Sequence, residues 1–213
     1  MGSFAYRHII WDWNGTLYDD AWMCVEVMNG MLARRGLPAI TPERYESIFD
    51  FPVIDYYRRV GFDFSVEPFE QVSDEFMATY TRRLRECQLR RGAREALEQG
   101  RRLGLAQSIL SAMMQTLLDG LLEHFGVRGY FGDVLGLDNH HAAGKVEIAR
   151  QWIARQDIDR RHILFVGDTT HDYEVAEALG VDCGFIHSGH HSRQRLATCG
   201  VPILASLPEV FDL

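Results

Sequence analysis

His8-Ile9-Ile10-Trp11-Asp12-Trp13-Asn14-Gly15-Thr16-Leu17 reads as a short apolar strand that stops at a carboxylate and then turns on a glycine. Ile9, Ile10 and Trp11 suit a buried strand. Asp12 falls at its C-terminal end, where open α/β sheets build their sites. Gly15 lets backbone approach a ligand closely, and Thr16 brings a hydroxyl. Taken alone, the stretch also reads as a surface turn after an edge strand, so its meaning depends on the rest of the chain.

Working outward, Ile163-Leu164-Phe165-Val166 is a second apolar strand, and it runs into Gly167-Asp168-Thr169-Thr170-His171-Asp172. From Gly92 onward helices and strands alternate. Ala93 to Leu103 reads as a helix, Leu105 to Leu110 as a strand ending at Ser111, and Met114 to Leu122 as a helix. A short strand within Phe131 to Leu137 precedes a helix through Val146, Ala149, Trp152 and Ile153. After the 163–166 strand come a helix over Tyr173 to Leu179, a strand over Asp182 to Ile186, and a last short strand at Ile203-Leu204. This alternation predicts an α/β fold with a doubly wound parallel sheet. Residues 18–88 differ. Trp22, Val25, Met28 and Leu32 recur at helical spacing, Thr41-Pro42 is an N-cap followed by proline, and Phe69, Val72, Phe76, Tyr80 and Leu84 form an apolar stripe. The segment reads as a helical insert after the first strand.

The composition narrows the function classes. With 213 residues, 46% hydrophobic and 24% charged, the chain is an ordinary globular one, large enough for a domain plus an insert. A net charge of −8 argues against nucleic acid and gives no attraction to anionic membranes. No run approaches the roughly 18 apolar residues that span a bilayer, and the N-terminus shows no leader pattern. Cys24, Cys87, Cys183 and Cys199 are scattered without a CxxC pair, which predicts reduced thiols, no zinc and a cytoplasmic setting.

In order along the chain, Asp12, Ser111, Lys145 and Asp168 with Asp172 resemble the four motifs of the haloacid dehalogenase superfamily, in particular its phosphoglycolate-phosphatase-like hydrolases. The resemblance implies a core domain over 1–17 and 89–213 and a helical cap domain over 18–88. It implies Asp12 as a nucleophile forming an aspartyl-phosphate, which an ionised carboxylate does without a base. It implies Mg²⁺, a hard cation suited to oxygen ligands, held by Asp12, Asp168 and the main-chain carbonyl of Asn14, with Asp172 one turn further as a supporting partner. Ser111, Lys145 and Thr16 are expected around the phosphoryl oxygens. Lys145 carries added weight as the chain's single lysine, every other formal side-chain cation being arginine. The expected partner is a small phosphorylated metabolite; monomer and homodimer both stay open.

One departure bears on chemistry. Relatives that hydrolyse phosphate esters carry aspartate two residues after the nucleophile, as general acid and base; this chain has Asn14. An amide exchanges no proton near neutral pH, and general acid–base help is typically worth about 10²–10⁴-fold. Several outcomes follow. The enzyme prefers leaving groups that need no proton, such as aryl or acyl phosphates. Or a loop histidine (His140, His141, His171, His190 or His191) supplies the proton. Or the chain is a catalytically weak phosphate-binding relative, or position 14 has been altered from aspartate. The other enzyme reading is a metal-independent dehalogenase. A Schiff-base route through a cap lysine is closed, since 18–88 holds no lysine. Ala112 after Ser111, where such phosphatases often have asparagine, loosens any detailed substrate assignment. The phosphatase reading requires the side chains at 12 and 168 to come close enough to share one ion.

Overall fold

The computed structural model describes residues 5–138 and 144–213. Its strands and helices, in order, are β1 His8–Trp11, β2 Tyr18–Asp19, α1 Ala21–Arg34, α2 Pro42–Ile48, α3 Val53–Arg59, α4 Phe69–Arg83, β3 Gln88–Leu89, α5 Ala93–Arg102, β4 Ala106–Met114, α6 Gln115–His124, β5 Asp133–Leu137, α7 Gly144–Ile153, β6 Ile163–Gly167, α8 Thr170–Leu179, β7 Asp182–Ile186, α9 Arg193–Leu196 and β8 Ile203–Leu204.

The main sheet is six-stranded and parallel, in the order β5-β4-β1-β6-β7-β8. Chain order reverses across β1, the topological switch point at which such sheets bind ligands. Each residue of β1 is buried because helices cover both faces. Ile9 and Trp11 join the cluster under α5 and α6, with Leu97, Leu118 and Leu122. Ile10 joins the cluster under α7 and α8, with Trp152, Phe165, Val175 and Leu179. A fully buried side chain such as Phe165 contributes roughly 1.5–3 kcal/mol by leaving water. The first cluster continues through Met23, Met28, Leu32, Tyr57 and Val72, so the helical insert shares an apolar core with one face of the sheet.

The insert is helical as expected, from α1 to α4. A two-stranded antiparallel ribbon pairs Tyr18 with Leu89 and Asp19 with Gln88 at its two ends. Thr41 caps α2 through a hydrogen bond from the Arg44 amide. Trp22 departs from the expected stripe. It is 40% exposed, its indole N–H donating to the Asp19 carbonyl and its ring lying under Arg83, while Met23, Val27, Met28 and Met31 fill the buried side of α1. Strand β4 also differs. It passes Ser111 and runs to Met114, with a register shift against β5 between Leu110 and Met114. The Gln115 carboxamide, which accepts from the Gly136 amide at 2.7 Å, anchors that extension.

All four cysteines are free; three are buried and Cys199 is half-buried. No described helix is long and apolar enough to cross a membrane.

Candidate active site

The register of β1 against β6 sets the geometry. Trp11 pairs with Val166, and the Asp12 amide donates to the Val166 carbonyl at 2.9 Å. Asp12 and Asp168 therefore leave adjacent strands at one edge. One carboxylate oxygen from each of Asp12, Asp168 and Asp172 lies within 4.8 Å of the others, and all three residues are buried. The proximity on which the phosphatase reading depends is present.

Each carboxylate is held differently. Asp172 is consumed by local structure. Its Oδ2 accepts from the Asp168 and Thr169 amides and the Thr169 hydroxyl, closing a capping box on α8, and its Oδ1 accepts from Lys145 at 2.6 Å. Asp168 accepts from the Thr16 hydroxyl on Oδ1 at 2.8 Å and from the His190 amide on Oδ2 at 2.6 Å. Asp12 accepts from Lys145 on Oδ1 at 2.6 Å, while Oδ2 takes no hydrogen bond among the described residues and the side chain lines the cavity above.

Electrostatics follow from this crowding. Burial, with the neighbouring Asp172 and Asp168 charges, pushes Asp12 well above the usual carboxylate range against the pull of Lys145. Burial likewise raises Asp168. Asp172 is also buried, but the Lys145 charge and its hydrogen bonds hold it below that range. Lys145 itself, disfavoured by burial, is driven upward by Asp12 and Asp172 and stays charged.

Asp20 was not foreseen from the sequence. It is 1% exposed and has no lysine or arginine partner among the described ion pairs. Its Oδ2 accepts from the Asn14 amide at 2.7 Å and the Tyr80 hydroxyl at 2.5 Å, and its Oδ1 from the Gly15 amide at 2.9 Å. His190 Nε2 lies 3.4 Å from Oδ1, and its Nδ1 meets the Tyr45 hydroxyl at 2.7 Å. Burial opposes ionisation of Asp20, but His190 and these hydrogen bonds hold it below its ordinary value. In return the Asp20 charge, working against burial, lifts His190 to about 9. The available signal was a second carboxylate directly after the Asp19 position, but only the fold shows that it turns back onto Asn14.

Other expected residues fall as follows. Asn14 turns its side chain toward Asp20, Tyr80 and Ser111, whose hydroxyl lies 3.3 Å from Asn14 Oδ1. Ser111 also accepts from the Met113 amide. Thr16, expected at the phosphate from the sequence, is fully buried and donates its hydroxyl to Asp168. Of the described loop histidines, His171 and His190 line the cavity. His191 accepts the Thr170 amide and is kept neutral, at about 3, by burial and by Arg195. His171 faces Glu174 through Nδ1. His140 and His141 lie outside the described residues. Gly15 is obligatory: its φ is +71°, and a Cβ there would run into the Asp168 carboxylate and the His190 ring.

A cavity of about 200 Å³ opens above these groups, bounded on the far side by α1 to α4. Tyr56 and Tyr57 contribute to its wall, whereas the neighbouring Arg58 and Arg59 pair outward with Asp55 and Asp50.

A helix-flanked parallel sheet with three carboxylates and a buried lysine at its switch point defines a class of hydrolase. The sequence bears this out, matching the model of the haloacid dehalogenase-like hydrolases over residues 9–186, and the chain belongs to that family. It is similar to phosphoglycolate phosphatase from Synechococcus elongatus, 27% identical over 196 residues that cover 90% of this chain and 89% of that protein. It is also similar to tyrosine-protein kinase PtkA from Mycobacterium tuberculosis, 24% identical over 184 residues, 85% of this chain and 62% of that one. Among solved structures, a haloacid dehalogenase-like protein of unknown function from Agrobacterium tumefaciens superposes with a TM-score of 0.81 at 21% identity, covering 96% of each chain. The M. tuberculosis PtkA structure superposes with a TM-score of 0.80 at 23% identity, covering 97% of each. These likenesses bear out the sequence resemblance and the fold class.

Proposed function

We propose that the chain is a Mg²⁺-dependent phosphatase that hydrolyses a small phosphomonoester through an aspartyl-phosphate on Asp12. The supporting observation is the division of labour among the carboxylates. Asp172 and Asp168 have both oxygens engaged, while Asp12 Oδ2 takes no hydrogen bond among the described residues and the side chain lines the cavity. A nucleophile needs an unengaged lone pair and a fixed approach, and Lys145 on Oδ1 supplies the fixing.

The donor set fits a divalent cation. Asp12, Asp168 and Asp172, all buried, bring one carboxylate oxygen each within 4.8 Å of the others, the hard-oxygen cluster that such an ion takes. Asp12, Asp168 and the Asn14 main-chain carbonyl would hold Mg²⁺. When bound, the ion neutralises phosphoryl oxygens and favours ionised Asp12. Lys145 supports that ionised form and offers its remaining N–H to a phosphoryl oxygen. Ser111 and Asp172 act at one remove, Ser111 by holding Asn14 and Asp172 by holding Lys145. The helices of 18–88 would serve as the cap over a core made of 1–17 and 89–213, with the β2–β3 ribbon at the junction.

Phosphate release from p-nitrophenyl phosphate tests this. Slow, Mg²⁺-dependent turnover is expected, removed by chelation and abolished by Asp12→Asn. Release that survives Asp12→Asn overturns the reading, and halide release from a haloacid without metal points to the dehalogenase instead.

A further inference from the structure

We propose that the preferred substrates are phosphate monoesters whose organic part is uncharged, apolar and aromatic in size, rather than small esters bearing a carboxylate. This rests on the phosphatase reading and names its substrate class.

The cavity wall carries the argument. Opposite Asp12 it is made of rings and thioethers, including Tyr45, Phe49, Tyr56, Phe76, Met77 and Met114. No arginine is among the described lining residues. Among the described lining residues the basic side chains are Lys145, pinned between Asp12 and Asp172, His190, facing Asp20, and His171, whose Nδ1 meets Glu174. Among the described residues a carboxylate on the substrate would leave water and meet no unpaired lysine or arginine, which is unfavourable. An apolar group gains about fourfold in binding per buried methylene-sized unit.

Asn14 points the same way, independently of the wall. Its amide donates to Asp20 and gives no proton to a leaving oxygen. An aryl ester tolerates this. Asp12 Oδ2 attacks phosphorus, the P–O(aryl) bond breaks, and its electron pair departs on a stabilised aryl oxide. Water then attacks phosphorus, the P–O bond to Asp12 breaks with its pair returning to the carboxylate, and the water's protons leave on the phosphate as H₂PO₄⁻. An alkoxide leaving group would need a proton that Asn14 does not donate.

The test separates ring binding from leaving-group chemistry by comparing 2-naphthyl phosphate with phenyl phosphate. Their leaving groups are similarly acidic, and they differ by one ring. The expected result is kcat/KM at least tenfold higher for 2-naphthyl phosphate, carried by KM, with phosphoglycolate at least a hundredfold below phenyl phosphate. Affinities for Asp12→Asn, measured by calorimetry with Mg²⁺, should keep that order without turnover. Met77→Arg, which adds a cation to the wall, should raise phosphoglycolate affinity at least tenfold and lower that of 2-naphthyl phosphate. Phosphoglycolate binding as tightly as 2-naphthyl phosphate overturns the proposal and leaves the phosphatase reading intact. The predicted binding order without hydrolysis of any ester by the parent enzyme overturns the phosphatase reading and leaves the selectivity of the cavity standing.

Discussion

Asn14→Asp restores on paper the missing proton carrier, yet the structure predicts that the single substitution is costly. Asn14 donates to Asp20 Oδ2 at 2.7 Å, so a carboxylate at position 14 faces a second, buried carboxylate across a hydrogen-bond distance. The pair must share a proton at pH 7 against an ordinary carboxylate value near 4. About three pH units correspond to about 4 kcal/mol, and the positive His190 beside Asp20 offsets part, leaving roughly 2–4 kcal/mol of destabilisation. In a chain of this size that lowers Tm by roughly 5–15 °C. The sign with pH is fixed. A carboxylate raised in the folded state destabilises above its unfolded value, so the deficit grows above about pH 4 and vanishes below it.

The compensated variant is Asn14→Asp with Asp20→Asn, which reverses the donor and acceptor of the same hydrogen bond. It should recover most of the lost stability and raise kcat for alkyl esters by about 10²-fold or more. Thermal unfolding from pH 4.5 to 8, beside turnover of glycerol phosphate and p-nitrophenyl phosphate, measures both. If Asn14→Asp alone is as stable as the parent at pH 8 and fully active, the coupling of positions 14 and 20 is refuted.

Lys145→Met leaves Asp12 and Asp172 without their buried cation and should cost about 3–5 kcal/mol, seen as a fall in Tm that millimolar Mg²⁺ partly reverses. Mg²⁺ at 100 times its Kd should stabilise the parent by about 2.7 kcal/mol, and chelation should remove that gain; an unchanged melting curve denies the metal site. His190, lifted to about 9 from an ordinary 6.5, stabilises the fold fully below pH 6.5 and loses that contribution as pH rises through 9, so His190→Gln should flatten the decline in Tm between those values. Gly15→Ala should unfold the β1 turn or abolish turnover, because its Cβ has no space beside Asp168; a stable, active variant measured by circular dichroism and phosphate release would contradict the tight packing there.

What could be read from the chain was what local pattern encodes. Buried strands such as Ile163 to Val166 announce themselves as apolar runs, and Asp12 and Asp168 inherit their placement from the strands they follow. Lys145 stood out because lysine is otherwise missing from the sequence. The bond from the Thr16 hydroxyl to Asp168 was not legible in the sequence, because only β6 lying alongside β1 brings the two residues together. Asp20 and Tyr80 were missed for the same reason. They are 60 residues apart, one at the start of α1 and the other near the end of α4, and no periodicity brings them together.

That contact reframes the amide at position 14. Asn14 sits in hydrogen bonds whose acceptor is a buried, ionised Asp20, itself steadied by Tyr80 and a charged His190. An aspartate at 14 competes for the same donors, whereas asparagine completes them. The amide at position 14 and the buried carboxylate of Asp20 thus form one hydrogen-bonded unit. The Asp20 carboxylate lines the same cavity as Asp12, and it accepts from Tyr80 and faces His190. On the proposed reading, an amide at 14 favours leaving groups that depart unaided, and the apolar cavity wall, made from different residues, favours an apolar organic part; an aryl ester meets both.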